Sequence, residues 1–409
     1  MHWTLKILAA VLTVANCFLT LSFAQQDSIE PTEAATRPLV MAHYMPWYSS
    51  DPAKGRYQWH WTMNHFDPTK QLDGLPQLAS KFHPLLGAYD SGDAAVIECH
   101  LLTMKLAGID GIIVDWYGLS DHSDYAMLHQ NTQRLVSQLD RFGMKLIICY
   151  EDHTVTALVK ANLLDASEKV PHVATEIRWM ADHWFNKDFY AKFINDPVLL
   201  SFGDSGLSNE QWTQCFQSLD FPVCYVSEHT QRTSAKGAFD WPIPDQGVEH
   251  TIHFLKHSKD MPIRIPVAFP RFDDIYKTAG FSAGYVTIAD DQGRTFGKTL
   301  ASAMSSSASM IQIATWNDWG EGTQIEPSHE FGYRDLIHLQ KTYPNDFVTT
   351  NSATAEDLKL AFAIYELRKQ TGVSQDKIDA VVDAILDSDL ETARAQMADL
   401  SADSKALKH

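Results

Sequence analysis

Met310-Ile311-Gln312-Ile313-Ala314-Thr315-Trp316-Asn317-Asp318-Trp319-Gly320-Glu321-Gly322-Thr323-Gln324-Ile325-Glu326-Pro327 joins an apolar, β-branched run to a glycine-punctuated polar turn. A run such as Met310–Trp316 reads as a strand buried on both faces. The turn that follows holds two carboxylates, Asp318 and Glu321, among the indoles of Trp316 and Trp319. Polar groups gathered just after a buried strand point to a parallel α/β sheet, where function collects at the C-terminal strand ends.

Seven similar runs precede it: Leu39–Tyr44, Gly111–Trp116, Lys145–Tyr150, Pro197–Phe202, Pro222–Ser227, Gly237–Pro242 and Ile263–Phe269. Helical spacing lies between most of them, over Asp93–Ala107, Tyr125–Phe142 and Ala174–Phe193. Strands alternating with helices imply right-handed βαβ units. Eight units over residues 38–345 predict an α/β fold, a (β/α)8 TIM barrel. A doubly wound open sheet is the other reading, but no Gly-x-Gly-x-x-Gly follows the first run. Residues 352–409 carry two Ala/Leu/Glu/Lys-rich helical stretches, Thr354–Gln370 and Ser374–Leu400, expected as a small C-terminal helical appendage.

The first 24 residues do not look like part of the fold. Lys6 precedes an apolar run from Ile7 to Phe23, and Ser22-Phe23-Ala24 places small residues at a cleavage position. That pattern predicts a signal peptide and an exported protein, periplasmic or extracellular, with no stable membrane insertion once the leader is removed. Residues 25–37 are polar and read as a flexible lead. Export would permit a disulfide between Cys215 and Cys224.

The chain carries 33 basic and 51 acidic side chains, a formal net charge of −18. A phosphate-binding surface needs a basic patch, so nucleic acid is excluded as a partner. No cofactor is expected, and no metal: His60 and His65 stand five apart without a convincing third ligand.

The barrel rule selects the strand ends as the site. They read His43-Tyr44-Met45-Pro46-Trp47-Tyr48, Asp115-Trp116-Tyr117, Glu151-Asp152-His153, Asp204, Glu228-His229, Asp240-Trp241, Arg271-Phe272-Asp273-Asp274 and the opening turn. Single carboxylates at such ends also cap helices or pair with cations. Taken together they match what glycoside cleavage needs: a proton donor for the leaving oxygen, a second carboxylate, and aromatic faces for sugar rings. The expected catalytic residues are Glu321 and Asp318. Trp47, Asp115, Trp241, Trp316, Trp319 and Glu326 are expected to bind the substrate. The partner is then an oligosaccharide or polysaccharide.

The turn closely resembles the Trp-Asn-Glu-Trp-x-Glu-Gly-Thr-Gln-Ile-Glu-Pro segment of glycoside hydrolase families 71 and 99. Tyr44-Met45-Pro46-Trp47-Tyr48, Asp115-Trp116-Tyr117-Gly118 and Tyr150-Glu151 resemble other segments of the same families, in order, over residues 39–334. The resemblance implies a retaining, endo-acting glycoside hydrolase of α-mannan or α-glucan type. It implies Asp318 as base on the sugar's own 2-hydroxyl, Glu321 as acid, Glu151 as a sugar-binding carboxylate, and Tyr44, Trp116 and Arg271 as substrate-binding subsite residues. This chain has Asp318 where the families have Glu, which sets the carboxyl back by one methylene. A glycan-binding barrel without activity, and a metal-dependent hydrolase on the same barrel, are the other expectations the residues allow.

Overall fold

Eight of eight expected runs become strands of one parallel sheet in the computed structural model, which describes residues 37–406. They are Leu39–Tyr44, Gly111–Trp116, Lys145–Glu151, Asp196–Phe202, Cys224–Glu228, Gly237–Phe239, the split pair Ile263–Ile265 and Val267–Ala268, and Met310–Ile313. The expected leader and nearly all of the polar lead lie outside the described residues. Among the described residues no helix is long and apolar enough to cross a membrane.

Strand one pairs with strand two on one side and strand eight on the other, Val40 opposite Ile311. The ring comes almost to closure at strand seven, where the sequence reading had one unbroken strand. Pro266 has no N–H to donate and divides it. Ile263–Ile265 pairs with strand six and Val267–Ala268 with strand eight. The Pro266 carbonyl still accepts the Gln312 N–H at 2.9 Å.

Period-two alternation sorts the side chains into two cores. Met41, Ile113, Ile147, Leu200, Val226 and Phe239 face the barrel interior. Val40, Ala42, Ile112, Val114, Leu146 and Ile148 face the surrounding helices. The helix Ala94–Ala107 is capped by Asp93, whose side chain accepts from the Ala95 N–H, and ends on Gly108 at φ 84°.

The third expected helix is shifted. It runs over Lys169–Met180, because Pro171 fits a first helical turn, and ends in the wide turn Ala181–Phe185. Lys192–Phe193 then pairs antiparallel with the start of strand four. No helix separates strands five and six; residues 229–236 form a short turn.

The C-terminal stretches become helices Leu358–Arg368, Gln375–Leu386 and Leu390–Ala406. Their buried faces, including Leu358, Ile364, Val381 and Ile385, continue the core that Leu101 and Met104 of helix Ala94–Ala107 belong to. Arg368 donates to both Glu98 oxygens at 2.9 Å, a two-point ion pair that ties the tail to the barrel. Cys99, Cys149, Cys215 and Cys224 are buried free thiols, so the disulfide that export would permit between Cys215 and Cys224 does not form.

Candidate active site

Strand alternation also decides which polar groups reach the barrel mouth. On strand one His43 points inward between Met41 and Met45; its ring meets Trp241 edge-on at 4.7 Å. Asp115 follows inward-facing Ile113 on strand two, and Glu151 follows inward-facing Cys149 on strand three. Asp115 is buried with Oδ1 unpartnered, while Glu151 Oε2 lies 2.7 Å from His153 Nδ1. Burial and the adjacent Glu151 push the Asp115 carboxyl well up, and burial likewise pushes Glu151 up.

Strand eight feeds the turn that carries the remaining pair. Thr315 Oγ1 accepts the Asp318 N–H at 2.7 Å and lies 3.0 Å from Thr323 Oγ1, closing the loop on itself. Asn317 fastens it to strand one: its Oδ1 accepts the Met45 N–H at 2.8 Å and its Nδ2 donates to the Met45 carbonyl at 3.0 Å. Gly322 sits at φ 69°, and a Cβ there would come within 2.6 Å of the Asp273 carbonyl, so only glycine fits.

Asp318 is nearly fully buried, and its Oδ1 accepts the Glu321 N–H at 2.9 Å. Burial pushes its carboxyl up to about 6, while N–H groups of Glu321 and Gly320 hold it from rising further. Glu321 has no such support: its Oε2 is buried without a partner. Burial first, then the charges of Asp318, Asp274, Asp115 and Glu151, push it well above the usual carboxylate range. Four inward carboxyls thus lie within electrostatic reach of one another, and burial first, then the Glu321 and Asp318 charges, pushes the Tyr276 hydroxyl up.

An aromatic rim borders them. Trp47 stacks on His60 at 4.5 Å and 7°, and meets Tyr117 edge-on at 6.4 Å. Tyr117 meets His153 at 5.5 Å. The arrangement therefore brings together Asp318, Glu321, Asp115, Glu151, Trp47 and Trp241 of the expected residues. His153, Tyr117 and Asp274 stand in the strand ends quoted above but were not singled out. Tyr276 carried no signal at all.

Six expected substrate-binding residues lie elsewhere. Tyr44, Trp116 and Trp316 occupy outward positions and belong to the core between barrel and helices. Trp116 packs on Trp179 and Trp184 there. Tyr44 Oη lies 2.9 Å from His100 Nδ1, and His100 Nε2 lies 3.1 Å from Glu326. Glu326 in turn accepts from Tyr89 Oη at 2.8 Å and Trp319 Nε1 at 3.1 Å. Arg271 donates to the Gln324 carbonyl at 2.6 Å and lies over Phe331 at 3.8 Å. These groups brace the turn from behind instead of facing the mouth.

His60 pairs with Asp124 at 3.2 Å and His65 lies against Phe66, so the two do not converge. His43, Asp115 and Cys149 do offer ligand atoms within 4.8 Å of one another. Burial first, then nearby carboxylates, pushes the Cys149 thiol well up.

Known proteins resemble this chain along the same lines. Residues 36–162 match the model of glycosyl hydrolase family 99. The glycoprotein endo-alpha-1,2-mannosidase of Rattus norvegicus is 35% identical over 322 residues, 70% of this chain and 67% of that protein. Its Mus musculus counterpart is 20% identical over 343 residues, 73% of this chain and 70% of its own. The solved family 99 endo-alpha-mannosidase of Bacteroides thetaiotaomicron superposes with a TM-score of 0.56 at 18% identity, covering 79% of this chain and 98% of that one, which establishes the shared barrel.

Proposed function

This chain belongs to glycosyl hydrolase family 99 and is a glycoside hydrolase, and from that premise we propose that it cleaves α-linked, mannose-containing glycans internally, with Glu321 as acid and Asp318 as base. The observation that carries the reading is the unequal support of the two carboxyls. The Glu321 N–H donates to Asp318 Oδ1, whereas Glu321 Oε2 is buried without a donor. Environments that push two neighbouring carboxyls apart assign the acid and the base. At neutral pH Asp318 is the ionised member and Glu321 the protonated one.

The chemistry then balances with two carboxyls alone. Glu321 gives its proton to the glycosidic oxygen as the bond from C1 breaks. Asp318 takes the 2-hydroxyl proton as O2 closes on C1, forming an epoxide-like intermediate. Glu321, now ionised, removes a proton from the water that attacks C1, and Asp318 returns its proton to O2. Configuration at C1 is retained. Glu151 and Asp115 hold sugar hydroxyls, and Trp47 and Trp241 face the ring. The 2-hydroxyl route is supported by the family resemblance of the strand-eight turn. Export is part of the proposal and is supported by the Lys6 to Ala24 pattern.

The test is a panel of α-mannans and α-glucans offered to wild type, Glu321→Gln and Asp318→Asn, with released reducing ends measured. Cleavage of α-mannans that both substitutions abolish supports the reading. Cleavage confined to α-glucans overturns the substrate; equal activity in all three proteins overturns the residues.

A further inference from the structure

Outside the carboxylate cluster, three side chains turn toward one point at the ends of strands five and six. His229 follows Glu228 at the end of strand five, Asp240 follows strand six, and His250 lies on the helix Glu249–His257. His250 Nε2 is 2.9 Å from Asp240 Oδ1 and 3.3 Å from His229 Nδ1; His229 Nδ1 is 3.6 Å from the same Oδ1. A triangle with those sides has a circumscribed radius of about 1.9 Å, so a point just off its plane lies at the ~2.0–2.1 Å of metal–imidazole and metal–carboxylate bonds.

We propose that His229, Asp240 and His250 bind a divalent transition metal ion of the zinc class, through Nδ1, Oδ1 and Nε2 respectively.

The surroundings support it independently. His250 Nδ1 lies 3.1 Å from Gln246 Oε1, and His229 Nε2 lies 3.3 Å from Glu228 Oε1. Each acceptor claims the N–H of a neutral imidazole, the outer partner that metal-bound histidines use to fix their tautomer. Both rings then present bare lone pairs to each other and to a carboxylate. With those tautomers the three facing atoms, 2.9–3.6 Å apart, are all acceptors, an arrangement that a cation between them satisfies. Asp240 is fully buried, and its Oδ2 has no hydrogen-bond partner, so no donor offsets the carboxylate on that side. Its Oδ1 takes one further bond, from the Trp241 N–H at 3.0 Å.

Two imidazoles and one carboxylate leave a fourth position, and the partly exposed His229 ring puts that position toward solvent, where water fills it. The residues 229–236 join parallel strands without a helix, so the ion clips together a connection that lacks the usual cover. Trp241, next to Asp240, meets the inward-facing His43 ring at 4.7 Å, so the clip adjoins the mouth. The ion takes no part in the acid–base chemistry assigned to Glu321 and Asp318, so the two readings stand or fall separately.

The experiment uses the full protein, stripped with dipicolinate and titrated with Co2+ and then Zn2+. Visible cobalt bands of a low-coordinate site that grow to one equivalent and vanish as Zn2+ displaces cobalt are the expected result. Zn2+ should also raise the melting temperature of wild type. His250→Gln and Asp240→Asn should weaken binding by on the order of 10²-fold or more and abolish the zinc-dependent shift. His229→Gln, in a partly exposed loop, does the same if the buried substitutions fail to fold. His253→Gln, on the same helix, should bind as wild type does. Absence of stoichiometric uptake by wild type, or unchanged affinity in His229→Gln, overturns the proposal. Uptake of Fe2+ in preference to Zn2+ keeps the site and changes its metal.

Discussion

Asp318 Oδ1 accepts the backbone N–H of Glu321 at 2.9 Å, so the proposed base is held in place by the main chain of the proposed acid. The pair is thus one structural unit, built in a single turn after strand eight. Removing either function should cost on the order of 10²–10⁴-fold in kcat, the usual range for one positioned proton-transfer group. Glu321→Gln and Asp318→Asn are expected in that range on an α-mannan. Asp318→Glu, which restores the carboxylate at a longer reach, should retain more activity than Asp318→Asn. The measurement is kcat and KM for the three variants.

The same pair sets the pH profile. Asp318 must be ionised to act as base, and its carboxyl is pushed up to about 6, so kcat/KM should fall as pH drops below that value. Glu321 must be protonated to act as acid, and burial with four neighbouring carboxyls pushes it well up, so the alkaline limb lies above neutrality. The limbs report the pair and not either residue alone. Asp318→Glu should move the acid limb and Glu321→Gln should remove the alkaline one, which a pH series of kcat/KM will show.

Asp115 makes the opposite contribution to stability. Its folded carboxyl is pushed well above the unfolded value of 3.8. Such a group stabilises the fold fully below the unfolded value and loses that contribution as pH rises toward the folded one. Asp115→Asn should therefore match wild type in melting temperature near pH 3.5 and exceed it at pH 7 and above, while losing activity. Thermal melts across that range test it; a variant less stable than wild type at pH 8 would refute it.

Asn317 holds the catalytic turn to strand one through both Met45 backbone groups and the Tyr89 hydroxyl. Asn317→Ala leaves the buried Met45 N–H unsatisfied, for a loss of about 1–3 kcal/mol. The denaturation midpoint should fall with an unchanged m-value. KM should change less than kcat, since the turn positions the acid and base and not the remote sugars.

Most of the barrel could be read from its apolar runs because each strand is buried on both faces and short. Pro266 marked the break in strand seven, yet the run around it was apolar enough to hide it. The outward placement of Tyr44 and Trp116 followed from counting by two from His43 and Asp115, whereas Trp316 lies outward although Ala314, two residues before it, faces inward. An aromatic residue at a strand end looks the same in sequence whichever side it faces, so that count was the only signal. Tyr276 reaches the carboxyls through a loop whose path no local pattern encodes. The meeting of His229, Asp240 and His250 across a turn and a helix is likewise a product of the fold, since their spacing resembles no metal motif. The leaning of the C-terminal helices on Glu98 depends on Arg368, one cation among many on a helical surface.

The division of labour between Glu321 and Asp318 is tested most directly by leaving-group dependence. An α-mannobiosyl fluoride departs without needing protonation. The account predicts that Glu321→Gln cleaves the fluoride within about tenfold of wild type while losing on the order of 10³-fold on an α-mannan, and that Asp318→Asn loses both. Equal losses for Glu321→Gln on both substrates, or an Asp318→Asn variant that stays active on the fluoride, would contradict it.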